Sequence, residues 1–221
     1  GSLKFSRTFM MEVPLMFLPV ISLYKYYEFL IKRNNSDLIL SILFGALAFL
    51  VKGPISMIMA GLSLGVFFIF EYVIDEKFRP RFKINSIYLI GTILLSSIWF
   101  FMCFYNYGSE FFTYFFIREN VGKFNQVSMP MSRIVEGLVM FSFPWLILFP
   151  SFFRGILNFK KLSKFQLFSL ACFIGHFLIW FFPKQRSHHY AIPSLGFFII
   201  FAFSFLSGYL KKIDKVFALI A

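Results

Sequence analysis

The sequence predicts an all-α fold, a polytopic transmembrane helix bundle with about seven spans plus an outer interfacial helix. Three observations carry this. Of 221 residues, 59% are apolar and 14% charged, with a mean hydropathy of +0.76; a soluble chain of this length could not hide so much apolar surface in one core. Several stretches run for about 20 residues almost without charge, the length that crosses roughly 30 Å of hydrocarbon. Third, the basic residues gather in every second connection.

In chain order the spans are expected near Val13–Ile31, Leu38–Val51, Pro54–Val73, Ile84–Phe104, Gly137–Phe153, Leu167–Phe182 and Ala191–Leu210, and a further apolar run begins near Val216. No soluble domain, internal repeat or low-complexity linker interrupts them. The 37 phenylalanines read as lipid-facing bulk. Cys103 and Cys172 lie far apart in apolar runs, form neither a CxxC motif nor a disulfide framework, and read as packing residues.

The formal net charge is +12. In a soluble protein that would suggest nucleic acid, but in a membrane protein charges must first be sorted by side, and no nucleic-acid partner is expected here. Lys32 and Arg33 follow span one; Lys77, Arg79, Arg81 and Lys83 follow span three. Arg154, Lys160, Lys161 and Lys164 follow span five, and Lys211, Lys212 and Lys215 follow span seven. These alternate connections hold 13 of the 22 Lys and Arg residues, so they are expected to be cytoplasmic. Lys25 is expected to snorkel to the same side. The residue combinations that could carry chemistry then lie on the outer face.

Four outer segments stand out. Span two is about 14 residues, roughly 21 Å at 1.5 Å per residue, so the Lys52-Gly53-Pro54 break should lie below the outer surface. Gly53 can cap and Pro54 can open the next helix, aiming its N–H groups and partial positive charge at the spot Lys52 occupies. Such an arrangement suits a phosphate, and it equally suits an ordinary tight turn with a snorkelling lysine. In Glu110–Phe124 the residues Phe111, Phe112, Phe115 and Phe116 recur at helical spacing opposite Glu110, Thr113, Tyr114 and Arg118. That pattern predicts a helix in the interface, ended by Asn120 and Gly122, with Arg118 and Lys123 at the membrane surface. Its charges fit either solvation or a lipid phosphate, and Arg133 with Glu136 reads as a structural ion pair.

The loop Pro183–Pro193 packs Lys184, Arg186, His188 and His189 into a short cationic stretch. Adjacent histidines diverge on a helix, so a phosphate or headgroup contact is the reading taken and no metal site is assigned. His176, an ionisable group within a span, is either a functional residue or a buried, hydrogen-bonded histidine, and the second reading is preferred. Glu12 opens span one just before Pro14, where an acid either caps the helix or takes part in chemistry.

Five segments, in this order, resemble the bacterial membrane glycosyltransferases of the C-type fold (GT-C), in particular the protein O-mannosyltransferase and lipid A aminoarabinose transferase superfamily. They are Arg7 to Leu15 (RTFMMEVPL), Ala48 to Ile55 (AFLVKGPI), Arg118 to Phe124 (RENVGKF), Phe143 to Pro150 (FPWLILFP) and Lys184 to Pro193 (KQRSHHYAIP).

The resemblance implies a cell-envelope enzyme of the bacterial inner membrane. It would move a sugar from a polyprenyl-phosphate carrier to a lipid, glycan or protein acceptor at the periplasmic face, with inversion at the anomeric carbon. It further implies that Lys52, Arg118, Lys123, Lys184 and Arg186 contact the carrier phosphate or neighbouring anions. Arg7, Asn120, His189 and Tyr190 would line the substrate site, and Glu12 would serve as an auxiliary acid. In that family the catalytic acid pair lies in the first outer loop, upstream of the segment matching Arg7–Leu15. Residues 1–221 are therefore expected to be a partial GT-C transmembrane domain, inactive alone, without that loop, the upstream spans or any C-terminal soluble domain. The lipid-linked sugar donor is the one ligand implied, and dependence on a divalent metal is left open. A transporter or flippase of a lipid-linked sugar explains the same cations.

Overall fold

The computed structural model describes residues 11–74, 82–118, 122 and 128–205. Among them every regular element is helical. Helix α1 covers Glu12–Lys32, α2 Asn35–Lys52, α3 Pro54–Ile74 and α4 Phe82–Phe112; α5 covers Ser132–Phe141, α6 Phe149–Leu157, α7 Lys164–Leu178, and α8 residues 192–205. Five helices are long and apolar enough to cross a membrane, or six if α5 and α6 count as one span. Seven were expected. At 21 residues α1 is long enough, but Lys25, Glu28 and three tyrosines dilute its apolar run. The run near Val216 lies outside the described residues.

Local chemistry sets the helix ends. Arg33 adopts a left-handed conformation (φ 57°) and closes α1 by donating its N–H to Phe29 O. Asn34 caps α2 through its side chain, which accepts from Ser36 N–H at 3.1 Å. Gly53 ends α2 at φ 72°, a region open to glycine without penalty, and donates to Phe49 O at 2.6 Å. Pro54 then opens α3, as expected from its fixed φ and missing N–H.

In lipid, helices associate through small residues and interhelical hydrogen bonds rather than by hiding apolar surface. Between α1, α2 and α4 the Ser22 hydroxyl donates to Ser41 O at 2.7 Å and pairs with the Tyr88 hydroxyl at 2.8 Å. Between α3 and α7, Gly175 lies so close to Ser63 that an added Cβ would sit 2.5 Å from the Ser63 nitrogen. There His176 is fully buried; its Nδ1 lies 3.1 Å from the Ser63 hydroxyl and 2.9 Å from Cys172 O. It is thus a hydrogen-bonded core histidine.

Two segments differ from the expected straight spans. The stretch expected as one span, Gly137–Phe153, breaks: α5 and α6 meet at 105°. Pro144 follows Phe143 through a cis peptide bond, and Pro150 stands just beyond. Proline supplies no N–H and its ring clashes with the preceding turn, which favours a break here, although α1 runs on through Pro19.

The second difference lies in α4. Gly108, at φ 62° and ψ −150°, reverses the chain. In one continuous helix Phe100 and Phe116 would be roughly 24 Å apart, yet their ring centroids are 5.6 Å apart. Phe111 and Phe115 likewise pack on Phe100, at 6.1 and 5.0 Å. The segment expected as a free interfacial helix therefore folds back along α4 as far as Arg118, where it winds as a π-helix over Thr113–Arg118. The aromatic face read from the sequence is real; it covers Trp99 and Phe100.

Candidate functional site

One end of the bundle gathers the start of α1, the α2–α3 turn, the end of α7 and the loop that precedes α8. Its centre is Lys52, the last residue of α2. The Lys52 side chain is 10% exposed and its ammonium donates to the Glu12 carboxylate, itself 7% exposed. Both charges are nearly removed from water, a state that needs mutual pairing and further contacts. Two rings supply such contacts. The ammonium stands 4.9 Å from the Trp180 ring centre and 4.8 Å from that of Tyr190, while the rings stack on each other at 4.4 Å. The three groups form a triangle in which the ring faces attract the cation.

His189 approaches from the loop. Its Nε2 is 3.6 Å from Glu12 Oε1, and its Nδ1 is 2.8 Å from the Ser187 hydroxyl, which sets the ring's orientation. Glu12 precedes the apolar stretch that begins at Val13. Burial by itself would raise the Glu12 carboxyl, but the Lys52 ammonium and His189 more than offset this and hold it below the ordinary carboxylate value. Glu12 is thus a buried acceptor in contact with one cation and one titratable imidazole.

The remaining loop cations differ in kind. Arg186 is buried, and its two terminal nitrogens donate to Met129 O at 2.6 Å and Phe181 O at 2.8 Å. It ties the loop to the segment before α5, a tie repeated by Met129 N–H donating to Lys184 O at 3.0 Å. The Lys184 side chain is exposed. His188 pairs with Glu136 at 3.0 Å, so Glu136 takes a loop histidine as its hydrogen-bond partner. Gly137 makes this packing possible, since a Cβ there would fall 2.0 Å from His188 O.

Of the residues singled out in the sequence, the fold joins Glu12, Lys52, His189 and Tyr190, with Arg186 bracing their loop. Arg118 is exposed on the fold-back segment; that segment reaches the Lys52 end through Phe100, which packs on Phe49 at 5.4 Å, one turn before Lys52. Arg7, Asn120 and Lys123 lie outside the described residues. Trp180 was not foreseen. Its indole nitrogen and Arg186 Nε are buried without a hydrogen-bond partner among the described residues. The signal was available, as a Trp ten residues before Tyr190 across a short loop, but nothing in the spacing says the two rings stack. No cluster of three or more His, Cys, Asp or Glu able to hold a metal occurs among the described residues.

No protein-family model matches the chain, and no solved structure matches it. Among curated proteins it is similar to two uncharacterized proteins of Aquifex aeolicus (strain VF5). The first is 29% identical over 209 residues, 93% of this chain and 40% of the relative. The second is 30% identical over 173 residues, 75% of this chain and 37% of the relative. The chain thus spans well under half the length of the curated relatives it matches.

Proposed function

We propose that the full-length protein is a membrane glycosyltransferase that takes a sugar from a polyprenyl-phosphate carrier, with Lys52 at the centre of its phosphate site. The observation that carries this reading is the nearly buried Lys52 beside Trp180 and Tyr190 at one end of an apolar helix bundle. A cation held there can meet a lipid phosphate without leaving the bilayer rim. Two donors in the same end of the bundle, the Trp180 indole N–H and Arg186 Nε–H, are of the type an anion would use.

The chemistry follows from charge. As the bond between the anomeric carbon and the phosphate oxygen breaks, negative charge builds on that oxygen, and fixed donors lower the barrier. A new bond forms from an acceptor oxygen to the opposite face of the anomeric carbon. The acceptor proton must pass to a base, which the family resemblance expects upstream of this chain; the phosphate leaves on its carrier. Glu12 now occupies the anion position at Lys52, so a bound phosphate would share or displace it. The full reading keeps seven spans, α1 included, with this end of the bundle outside the bacterial inner membrane.

A second reading, a transporter or flippase of a lipid-linked sugar, is favoured by one feature, the break between α5 and α6, since transporters build sites at interrupted helices. Binding and turnover separate the two. In the folded fraction of the full-length protein Lys52→Ala is expected to abolish binding of polyprenyl-phosphate sugar, and unchanged binding would remove Lys52 from the site. Release of free carrier phosphate supports the transferase; movement of intact donor across a vesicle membrane supports the transporter.

A further inference from the structure

Toward the end of the bundle opposite Lys52 a groove of 420 Å³ opens between α3, α6 and α7, within the range of about 300–1,000 Å³ usual for small-ligand sites. Every side chain that lines it is apolar; they include Phe70 of α3, Ile156 of α6, Phe159, and Leu170, Phe173 and Ile174 of α7. At the rim the Phe159 ring packs edge to face on Phe70, with centroids 4.7 Å apart. Ile174 lies ten residues beyond Lys164, about 15 Å along the helix at 1.5 Å per residue. The groove therefore runs from the rim into the hydrocarbon, the direction an acyl chain takes.

The single turn Phe159–Lys161 supplies both a wall of the groove and two exposed lysines, Lys160 and Lys161. Three other lysines at this end already face carboxylates. Lys25 pairs with Glu28 at 2.6 Å and with Asp37 at 3.0 Å, Lys32 pairs with Glu28 at 2.6 Å, and Lys164 faces Glu71 at 3.8 Å. Lys160 and Lys161 form no ion pair among the described residues, and residues 153–164 contain neither Asp nor Glu. Two positive charges thus stand beside an apolar groove with no acid in their own connection.

An apolar groove alone would take any acyl chain, so the charges decide which lipid is held. In a zwitterionic phospholipid the headgroup ammonium stands close to the phosphate and cancels most of its attraction for a lysine. A phospholipid without that ammonium keeps a net negative charge, and each lysine beside it strengthens its hold about fivefold. Selection is thus on net charge and not on the phosphate, which all phospholipids share. We propose that the groove holds an acyl chain of an anionic phospholipid of the phosphatidylglycerol type, whose phosphate rests at Lys160 and Lys161. The site is independent of the function proposed above and lies at the other end of the bundle.

The test is lipid retention. The full-length protein is reconstituted into vesicles of equal parts dioleoyl phosphatidylglycerol, phosphatidylethanolamine and phosphatidylcholine, re-extracted in mild detergent, and its bound lipids counted by native mass spectrometry. Phosphatidylglycerol should be retained about 25-fold over each of the other two, the product of two fivefold effects. The double variant Lys160→Ala/Lys161→Ala should bring the three lipids close to equal retention, and Lys160→Arg/Lys161→Arg should keep the preference. Lys32→Ala, which removes a lysine already paired with Glu28, should leave it unchanged. Ile156→Trp, which fills the groove, should lower the phosphatidylglycerol retained at least fivefold with both lysines in place. Lys160 and Lys161 are exposed, so their variants keep the test valid if Ile156→Trp does not fold. Equal retention of the three lipids by the wild type, a preference that survives the double alanine variant, an equal loss in Lys32→Ala, or full retention in folded Ile156→Trp would each overturn the proposal.

Discussion

The Lys52 ammonium donates to the Glu12 carboxylate across 40 positions of sequence, joining the end of α2 to the start of α1 with both side chains nearly buried. The pair positions the α2–α3 turn, and the rings of Trp180 and Tyr190 cover it.

Removing one partner leaves a buried charge uncompensated. Glu12→Gln or Lys52→Met alone is expected to cost about 3–5 kcal/mol, and the double variant markedly less than the sum. Reversible unfolding in mixed micelles measures all three. Strictly additive losses would mean that the two side chains do not act as a pair.

Acid should expose the same contact. Because the folded-state value of Glu12 is held below the ordinary carboxylate value, its stabilising effect is complete above that ordinary value and is lost as pH falls through the lower, folded one. Wild type should therefore lose stability on acidification over that interval, and Glu12→Gln should lose less. Parallel pH profiles for the two proteins would contradict this.

Gly137 and Gly61 make a matched comparison. Gly137→Ala drives a Cβ into the His188 carbonyl and is expected to cost about 1–3 kcal/mol, loosening the loop that carries His189 and Tyr190. Gly61→Ala meets nothing within 4 Å and should be neutral or stabilising by about 0.5–1 kcal/mol in helix α3. Thermal midpoints in detergent decide between them; equal effects would show that the close approach of α5 to the loop is not real.

Arg186→Gln should free the loop from the segment before α5. The Met129 amide, which donates to Lys184 O, would then exchange hydrogen roughly tenfold faster, as expected for loss of a charge-assisted bond. Exchange as slow as in wild type would assign Arg186 no bracing role.

Much of the fold was legible in the chain. Composition and the length of uncharged runs announce a helical membrane protein, because hydrocarbon leaves the backbone no partner but itself. The Lys52-Gly53-Pro54 turn is read correctly from its residues: glycine reaches φ 72° freely and proline opens the next helix. The aromatic face of 111–116 is equally plain from its spacing. Where that face docks is not, since periodicity gives a side of a helix and never a neighbour.

The amino-acid pattern alone makes this chain an apolar helical bundle and sets where most of its helices begin and end and which residues carry charge near its rims. These are properties of local composition and backbone sterics. Packing in three dimensions is what turns 109–118 back onto α4 at Gly108, bends α5 away from α6, and brings Lys52 to Glu12, Trp180 and Tyr190. It also separated Arg186, which binds backbone carbonyls, from Lys52, which binds a carboxylate beside two rings. A cation's role depends on which acceptors come within about 3 Å of it, and contacts between residues distant in sequence are set by how the helices pack.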